Sequence, residues 1–475
     1  MAITRTALIG VLNPTRIRNP SLFIHWKSVH SRVNGSKRNV TILGEPLVFR
    51  NGRKAQNRFL KAALSEKLAS WDPINVSKRG IPTDRLVNIY EKWGHGKYGV
   101  ILTGNVGVDP THLESAGNMI FCKENDSPKL RAIVSKIAKA MKCDGALAIA
   151  QITHAGRQTP AAVNANPYSC SDIQVKAKGP FMSFGRPIPL TEEQIKTEVV
   201  DRFVYTAKFA HEQGFDGVEL HGAHGYLLSS FLSPLTNNRT DKYGGPAVNR
   251  MRVVREIFEG IRQEIDQSTG FLVGIKVNSA EFQDYGLGMD DAKAIAGMVE
   301  KTGFDFVELS GGTVERPAFH HLRESTRKRE AYFFEFAEQL RPCFEKTIVY
   351  LTGGFRTARG MVNAVLEKAN DGVGLGRPTS AEPDLPAKIL SGECLGAPDT
   401  KLDDDDFTLT LIACQSQMWQ MGKRPLVCDD IADLSNPEEA ENFKKAAAAY
   451  YVEMQKAAEK NEAIPGVLQY QNIAS

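Results

Sequence analysis

The sequence predicts an α/β protein built as a (β/α)8 barrel with an N-terminal β-hairpin and a C-terminal helical extension. Three observations predict it. Eight short, uniformly apolar segments recur between Phe59 and Arg377, segments of helical period alternate with them, and several apolar segments end in Gly, His or another polar residue. Uniform apolarity marks strands covered on both faces, as parallel strands are. Eight such units in one uninterrupted run suit a closed barrel better than an open doubly wound sheet.

Residues 1–40 stand outside this repeat. They hold Arg5, Arg16, Arg18, Lys27, Arg32, Lys37 and Arg38 with no Asp or Glu, so the remainder carries a small net negative charge against +4 overall. A basic stretch confined to a leader reads as a disordered arm or a mitochondrial import segment, and it leaves no basic nucleic-acid-binding face on the folded part. The barrel domain is assigned to 41–396. Pro46, Leu47, Val48 and Phe49 followed by Asn51-Gly52 predict the hairpin, because Asn-Gly readily adopts the positive φ that tight hairpin turns need. Strands are predicted at 59–65, 99–106, 146–154, 217–224, 271–279, 306–312, 348–354 and 372–377.

The intervening helices carry their own start signals. Ser127 precedes Pro128, and Leu130, Ile133, Val134, Ile137 and Met141 form a buried stripe. Thr191 and Gln194 are spaced for a capping box, with Leu190 and Ile195 at staple positions, and Ile195, Val199, Phe203 and Ala207 continue one face. Residues 397–475 read as a helical appendage. Its acidic run Asp403–Asp406 is assigned to solvating a surface turn, and a helix opens at Asn436-Pro437. Tyr450 and Tyr451 on that helix suit either a homo-oligomer contact or packing on the barrel.

Composition narrows the class of protein further. With 42% hydrophobic and 24% charged residues the 475-residue chain can bury a large core, and no run of 18 apolar residues offers a membrane span. Seven cysteines, an odd number without C-x-x-C pairs, argue against a disulfide framework and against a thiolate metal site. A reducing compartment follows, the cytoplasm, or the mitochondrion should the leader direct import.

Active sites of such barrels are assembled where the strands end. Here the third strand ends in Gln151 and His154, the fourth in His221, His224 and Tyr226, and the fifth carries Lys276. The seventh and eighth end in Gly353-Gly354 and Gly376-Arg377, the glycine-plus-arginine chemistry that a phosphate needs. His221 and His224 alone would also suit a metal, but a third ligand is not evident at the strand ends. An amide, a cation, two imidazoles, a phenol and a phosphate anchor together suit a flat phosphorylated cofactor such as FMN.

At these residues the chain resembles the Old Yellow Enzyme family of FMN-dependent NAD(P)H:flavin oxidoreductases, over most of the barrel. The resemblance is carried by Asn57-Arg58-Phe59 with Ala62-Ala63-Leu64-Ser65, by Gln151 with His154-Ala155-Gly156-Arg157, and by His221-x-x-His224-x-Tyr226. Ser233-Pro234, Asn238-Arg239-x-Asp241-x-Tyr243-Gly244-Gly245, Asn249-Arg250, Gly353-Gly354 and Gly376-Arg377 continue it. It implies that Ala62, Ala63, Ser65 and Gly104 contact the flavin, that Gln151 binds its pyrimidine with Lys276 nearby, and that Gly353, Gly354, Gly376 and Arg377 hold its phosphate. It further implies that His221 and His224 grip a substrate carbonyl oxygen, that Tyr226 donates a proton, and that NAD(P)H is the electron donor in a ping-pong reduction of α,β-unsaturated carbonyl compounds. A 2-enoyl or dienoyl thioester substrate and a catalytically inactive flavin-binding barrel are the alternatives. Two positions depart from the family: Lys276 stands where Arg is usual, and Ser65 where Cys or Thr is usual.

Overall fold

Strands β1 (Phe59–Lys61), β2 (Val100–Leu102), β3 (Leu147–Thr153), β4 (Gly217–Gly222), β5 (Leu272–Asn278), β6 (Phe306–Ser310), β7 (Ile348–Thr352) and β8 (Gly372–Leu375) each pair in parallel with the next, and β8 pairs with β1. The barrel is therefore closed, and all eight predicted strands are in it. The computed structural model describes Arg32 and residues 39–176, 183–278, 286–311, 336–426, 428 and 430–472. Apart from Arg32, Asn39 and Val40, the leader assigned to 1–40 lies outside the described residues, as do Ser279 and Gly312, the expected ends of the fifth and sixth strands. Arg32 itself donates from Nη1 and Nη2 to the two carboxylate oxygens of buried Glu382, each at 2.8 Å.

Side chains of a strand alternate between its faces, so every second residue enters the barrel. At the end where the strands begin, Leu60, Leu102, Ile149, Leu272, Phe306 and Tyr350 form one buried cluster with Leu47, Phe49 and Ala55. Those last three belong to the N-terminal hairpin, in which Leu47–Val48 pairs antiparallel with Lys54–Ala55. The turn lies where Asn51-Gly52 predicted it, with Gly52 at φ +84°. The hairpin plugs that end of the barrel, its Phe49 meeting Phe306 edge-on at 6.2 Å between ring centroids. Large rings require small neighbours: a Cβ on Gly274 would overlap the Phe306 ring, and one on Gly372 the Tyr350 ring.

Helices α1 (Asp84–Gly94), α2 (Pro128–Met141), α3 (Asp201–Glu212), α4 (Arg252–Glu264), α5 (Met289–Thr302) and α6 (Ala358–Leu366) cover the outside of the barrel. Their apolar stripes and the outward strand residues share the main core. The predicted start signals operate as expected. Ser127 Oγ accepts from Leu130 N at 3.2 Å with Pro128 at the first helical position. Both halves of the Thr191/Gln194 capping box form, at 3.1 and 2.9 Å. A π-helical stretch, Ile195–Val200, then joins this start to α3.

After α7 (Leu385–Ser391) the appendage contributes α8 (Phe407–Met421) and α9 (Pro437–Glu459). α8 was not among the elements expected from the sequence, whereas the acidic run Asp403–Asp406 lies on an exposed turn as expected. Asp406 caps α8, accepting from Leu409 N at 2.9 Å, and Asp404 lies 3.7 Å from the Arg377 guanidinium. α8 is buried along most of its length between the barrel and α9. It docks on α1, whose Asn88 Nδ2 donates to Gly422 O at 3.0 Å and whose Lys92 Nζ donates to Arg424 O at 2.8 Å. Tyr450 and Tyr451 pack against the small core shared by α8 and α9. Among the described residues no helix is long and apolar enough to cross a membrane.

Candidate active site

The two-residue period that fills one end of the barrel with hydrocarbon brings polar groups inward at the other. Register places Gln151 of β3 beside Glu219 of β4, and Lys276 of β5 beside both His221 of β4 and Glu308 of β6. Gln151 Nε2 donates to Glu219 Oε1 at 2.8 Å, and Lys276 Nζ donates to Glu308 Oε1 at 3.0 Å. All four are buried. The remaining oxygens, Glu219 Oε2 and Glu308 Oε2, have no donor although both are enclosed. Burial, and then the neighbouring Glu308 carboxylate, hold the Glu219 pKa well above the usual carboxylate range. A proton on Glu219 supplies the donor that the second oxygen of Glu308 lacks.

Glu219 and Glu308 were absent from the sequence-derived site. The signal was available, since a lone Glu inside an apolar strand is a carboxylate that must be paired once buried. Each also stands two residues before a polar strand-end residue, His221 and Ser310, and so shares its face.

Beyond this row lies the cluster of His221, His224 and Tyr226. The His221 ring meets the Tyr226 ring edge-on at 4.7 Å and the His224 ring at 5.3 Å. His224 takes φ +61°, an uncommon conformation for a side-chain-bearing residue, which turns the chain sharply after β4. Asn278 Oδ1 accepts from His224 N at 3.2 Å, and the Ser310 hydroxyl stands 2.9 Å from His224 Nε2. Burial, and then Lys276, press the His224 pKa down to about 3. Burial with His224 and Lys276 lowers His221 well below its usual value. Both imidazoles are thus neutral near pH 7, with one N–H each. Burial and then the Glu114 carboxylate push the Tyr226 phenol well above its ordinary range, so it keeps its proton.

The other named positions lie along the same end of the barrel. Ala62 and Ala63 follow β1, with Ala62 N donating to Leu375 O at 2.9 Å. Ser65 Oγ stands 2.8 Å from Glu114 Oε2 and 2.5 Å from Asn105 Oδ1, so its single proton has two acceptors within this chain. Gly104 N donates to Glu66 Oε1 at 3.0 Å, and a Cβ there would collide with Glu66 and Leu64, so packing alone requires this glycine. Gly353 and Gly354 follow β7 with φ +135° and +82°. At Gly376 a Cβ would meet only Leu64 Cδ2, at 3.8 Å. Arg377 Nη1 donates to Thr410 Oγ1 of α8 at 2.9 Å, beside a cleft lined by Arg356, Ser380, Cys414 and Gln417.

Other quoted motif residues are scaffold. Arg239 pairs with Asp241 and donates to Cys170 O at 2.9 Å, and Arg250 pairs with Asp291 at 2.8 Å, so both hold loops. His154 is buried and stacks on His112 at 4.3 Å. Asp109, His112 and His154 approach one another as metal ligands do, yet His112 Nε2 already accepts from Tyr168 N at 2.9 Å and its Nδ1 faces Asp109 at 3.1 Å. Neither His221 nor His224 belongs to a three-ligand group among the described residues.

Known proteins with related sequences place this geometry in context. Residues 43–395 match the NADH:flavin oxidoreductase / NADH oxidase family. The NADH-dependent flavin oxidoreductase nadA of Aspergillus parasiticus is 40% identical over 422 residues, covering 86% of this chain and 91% of that protein. The NADH:acrylate oxidoreductase of Vibrio harveyi is 28% identical, over 74% of this chain and 33% of that protein. Among solved structures, an old yellow enzyme homologue from Zymomonas mobilis shares the fold with a TM-score of 0.61 at 22% identity, covering 75% of this chain and 94% of that one. The chain belongs to the NADH:flavin oxidoreductase / NADH oxidase family, the Old Yellow Enzyme group of FMN-dependent barrels with NAD(P)H as electron donor.

Proposed function

We propose that this oxidoreductase reduces the C=C bond of α,β-unsaturated carbonyl compounds, with NAD(P)H and the substrate using one site in turn. The observation that carries this reading is the His221 ring, in edge-on contact with both the Tyr226 phenol and the His224 imidazole, beside buried Lys276. FMN, when bound, would supply the two-electron hydride exchange between NAD(P)H and the substrate C=C bond.

The residues present fit that cofactor. Gln151 and Lys276 offer an amide and an ammonium to its pyrimidine edge. Gly353 and Gly354 take backbone conformations that side chains disfavour, Gly376 leaves open space, and Arg377 adds a cation for the phosphate. Ala62, Ala63, Ser65 and Gly104 line the neighbouring wall in this reading.

His221 and His224 bind the substrate carbonyl oxygen. Ala223 N stands 3.4 Å from His221 Nδ1, which leaves Nε2–H as the donor of that ring. Neutral N–H donors strengthen as negative charge gathers on the oxygen, so they favour the enolate over the ground state. Tyr226 then gives its phenolic proton to Cα, which completes the saturated product. Glu114 opposes formation of the tyrosinate and so keeps the donor loaded between turnovers.

Rapid mixing of the two half-reactions tests this assignment. Tyr226→Phe is expected to leave reduction by NAD(P)H near the wild-type rate and to slow reoxidation by cyclohexenone about 10²-fold or more. His221→Ala is expected to weaken ligand binding in both half-reactions. Equal losses in both half-reactions for Tyr226→Phe would remove the proton-donor role.

A further inference from the structure

The row Gln151, Glu219, Glu308, Lys276 crosses four adjacent strands and joins the two residues assigned to the pyrimidine edge of the flavin through a pair of buried carboxylates. Such a pair is costly to bury, and the mechanism above makes no use of it. Its geometry explains how Lys276 can stand in place of an arginine. A guanidinium is planar and always charged, whereas an ammonium on a flexible stem needs a partner to hold both its place and its proton when enclosed. Glu308 is that partner, 3.0 Å from Lys276 Nζ with its side chain fully buried. Glu219 neighbours this carboxylate, and the second oxygens of both, Glu219 Oε2 and Glu308 Oε2, are enclosed.

We propose that Glu308 is a positioning residue for the flavin site: its ion pair holds Lys276 in place and offsets its charge, so that the site favours reduced flavin less than an unopposed cation would. This rests on the reading of Lys276 as the cation of the pyrimidine edge. In an enclosed site a neighbouring carboxylate cancels much of the field of an ammonium, and reduced flavin, which carries the negative charge, feels that loss more than oxidised flavin does. The Lys276–Glu308 pair is then a setting for the flavin potential that belongs to this chain's own residues.

The test is the midpoint potential of FMN-loaded protein, measured by dye equilibration for the wild type, Glu308→Gln, Lys276→Met and the double variant. Lys276→Met is expected to lower the potential and Glu308→Gln to raise it, by about 30 mV for each tenfold gain in preference for reduced over oxidised FMN. In the Lys276→Met background Glu308 no longer has the ammonium to offset, so Glu308→Gln is expected to shift the potential by less than it does in the wild type. A potential that stays at the wild-type value in Glu308→Gln while Lys276→Met lowers it would overturn the role of Glu308 and leave that of Lys276 standing. An unchanged potential in Lys276→Met would instead remove the reading on which the proposal rests. Should Glu308→Gln fail to fold, Glu308→Asp withdraws the carboxylate by one methylene and is expected to shift the potential upward by less; no shift there overturns the proposal as well.

Discussion

The two ends of the barrel interior obey the same alternation and are filled with opposite chemistry. Where the strands begin, Leu60, Leu102, Ile149, Leu272, Phe306 and Tyr350 interdigitate under the hairpin. Where they end, Gln151, Glu219, Lys276 and Glu308 occupy the equivalent inward positions, with His221 and His224 beyond them. The difference teaches how the fold separates stability from reactivity. The first end is closed without any ionised group, its one enclosed polar atom in this set being the Tyr350 hydroxyl. The second end keeps ionisable groups out of water, which strengthens each charge–charge contact and every pKa shift there.

Emptying the apolar end is expected to have the largest effect. Phe306 is fully buried and touches both Phe49 and Tyr350, so Phe306→Ala is expected to cost about 3–5 kcal/mol of stability. Denaturant titration checks the loss, and FMN absorbance below the transition should be unchanged, because no group at the reactive end is removed. A smaller loss accompanied by bleached FMN would show that the two ends are not separable.

A second enclosed lysine lies on the outer face of the barrel wall. Lys61 points out of the barrel wall, its ammonium 3.8 Å from the centre of the Trp93 ring and 3.2 Å from Leu102 O, with no carboxylate in ion-pair contact among the described residues. Burial lowers its pKa from 10.5 to about 8, against weaker opposition from Glu66. Between pH 8 and 10.5 the unfolded chain then binds more protons at this site than the folded one, so stability rises with pH across that window and the full penalty applies below it. Lys61→Met removes this dependence. Its stability relative to the wild type is expected to fall by up to about 3 kcal/mol as pH rises through that window, which urea titrations at each end of it measure. A constant difference would show that burial does not depress the Lys61 pKa.

The smallest expected effect lies where the appendage meets the rim. Thr410→Val removes the acceptor of Arg377 Nη1 while leaving Asp404 in place. If Arg377 holds the cofactor phosphate, FMN affinity should weaken about fivefold, the equivalent of about 1 kcal/mol, in a fluorescence titration of the apoprotein. An unchanged affinity would confine Thr410 to packing.

Much of this protein was legible locally. The hairpin at Asn51-Gly52, the Ser127 and Thr191 helix starts and the eight barrel strands each rest on turn chemistry, capping or apolar runs within a few residues of the element. The same is true of the strand-end residues Gln151, His221, His224, Tyr226, Lys276 and Arg377. α8 was not legible. Phe407–Met421 mixes β-branched, apolar and amide residues without a polar face, because its surroundings are buried on nearly every side.

The sequence by itself determined the kind of barrel and the residues that reach its rim, since periodicity, caps and strand ends are short-range properties of the chain. Only the tertiary structure decided that Gln151 meets Glu219, that Lys276 is held by Glu308, and that Asp404 and Thr410 return from the tail to Arg377. The physical reason is register. Closing eight strands into a barrel sets the stagger between neighbours, and that stagger, which no single segment encodes, selects the side chains that share a layer.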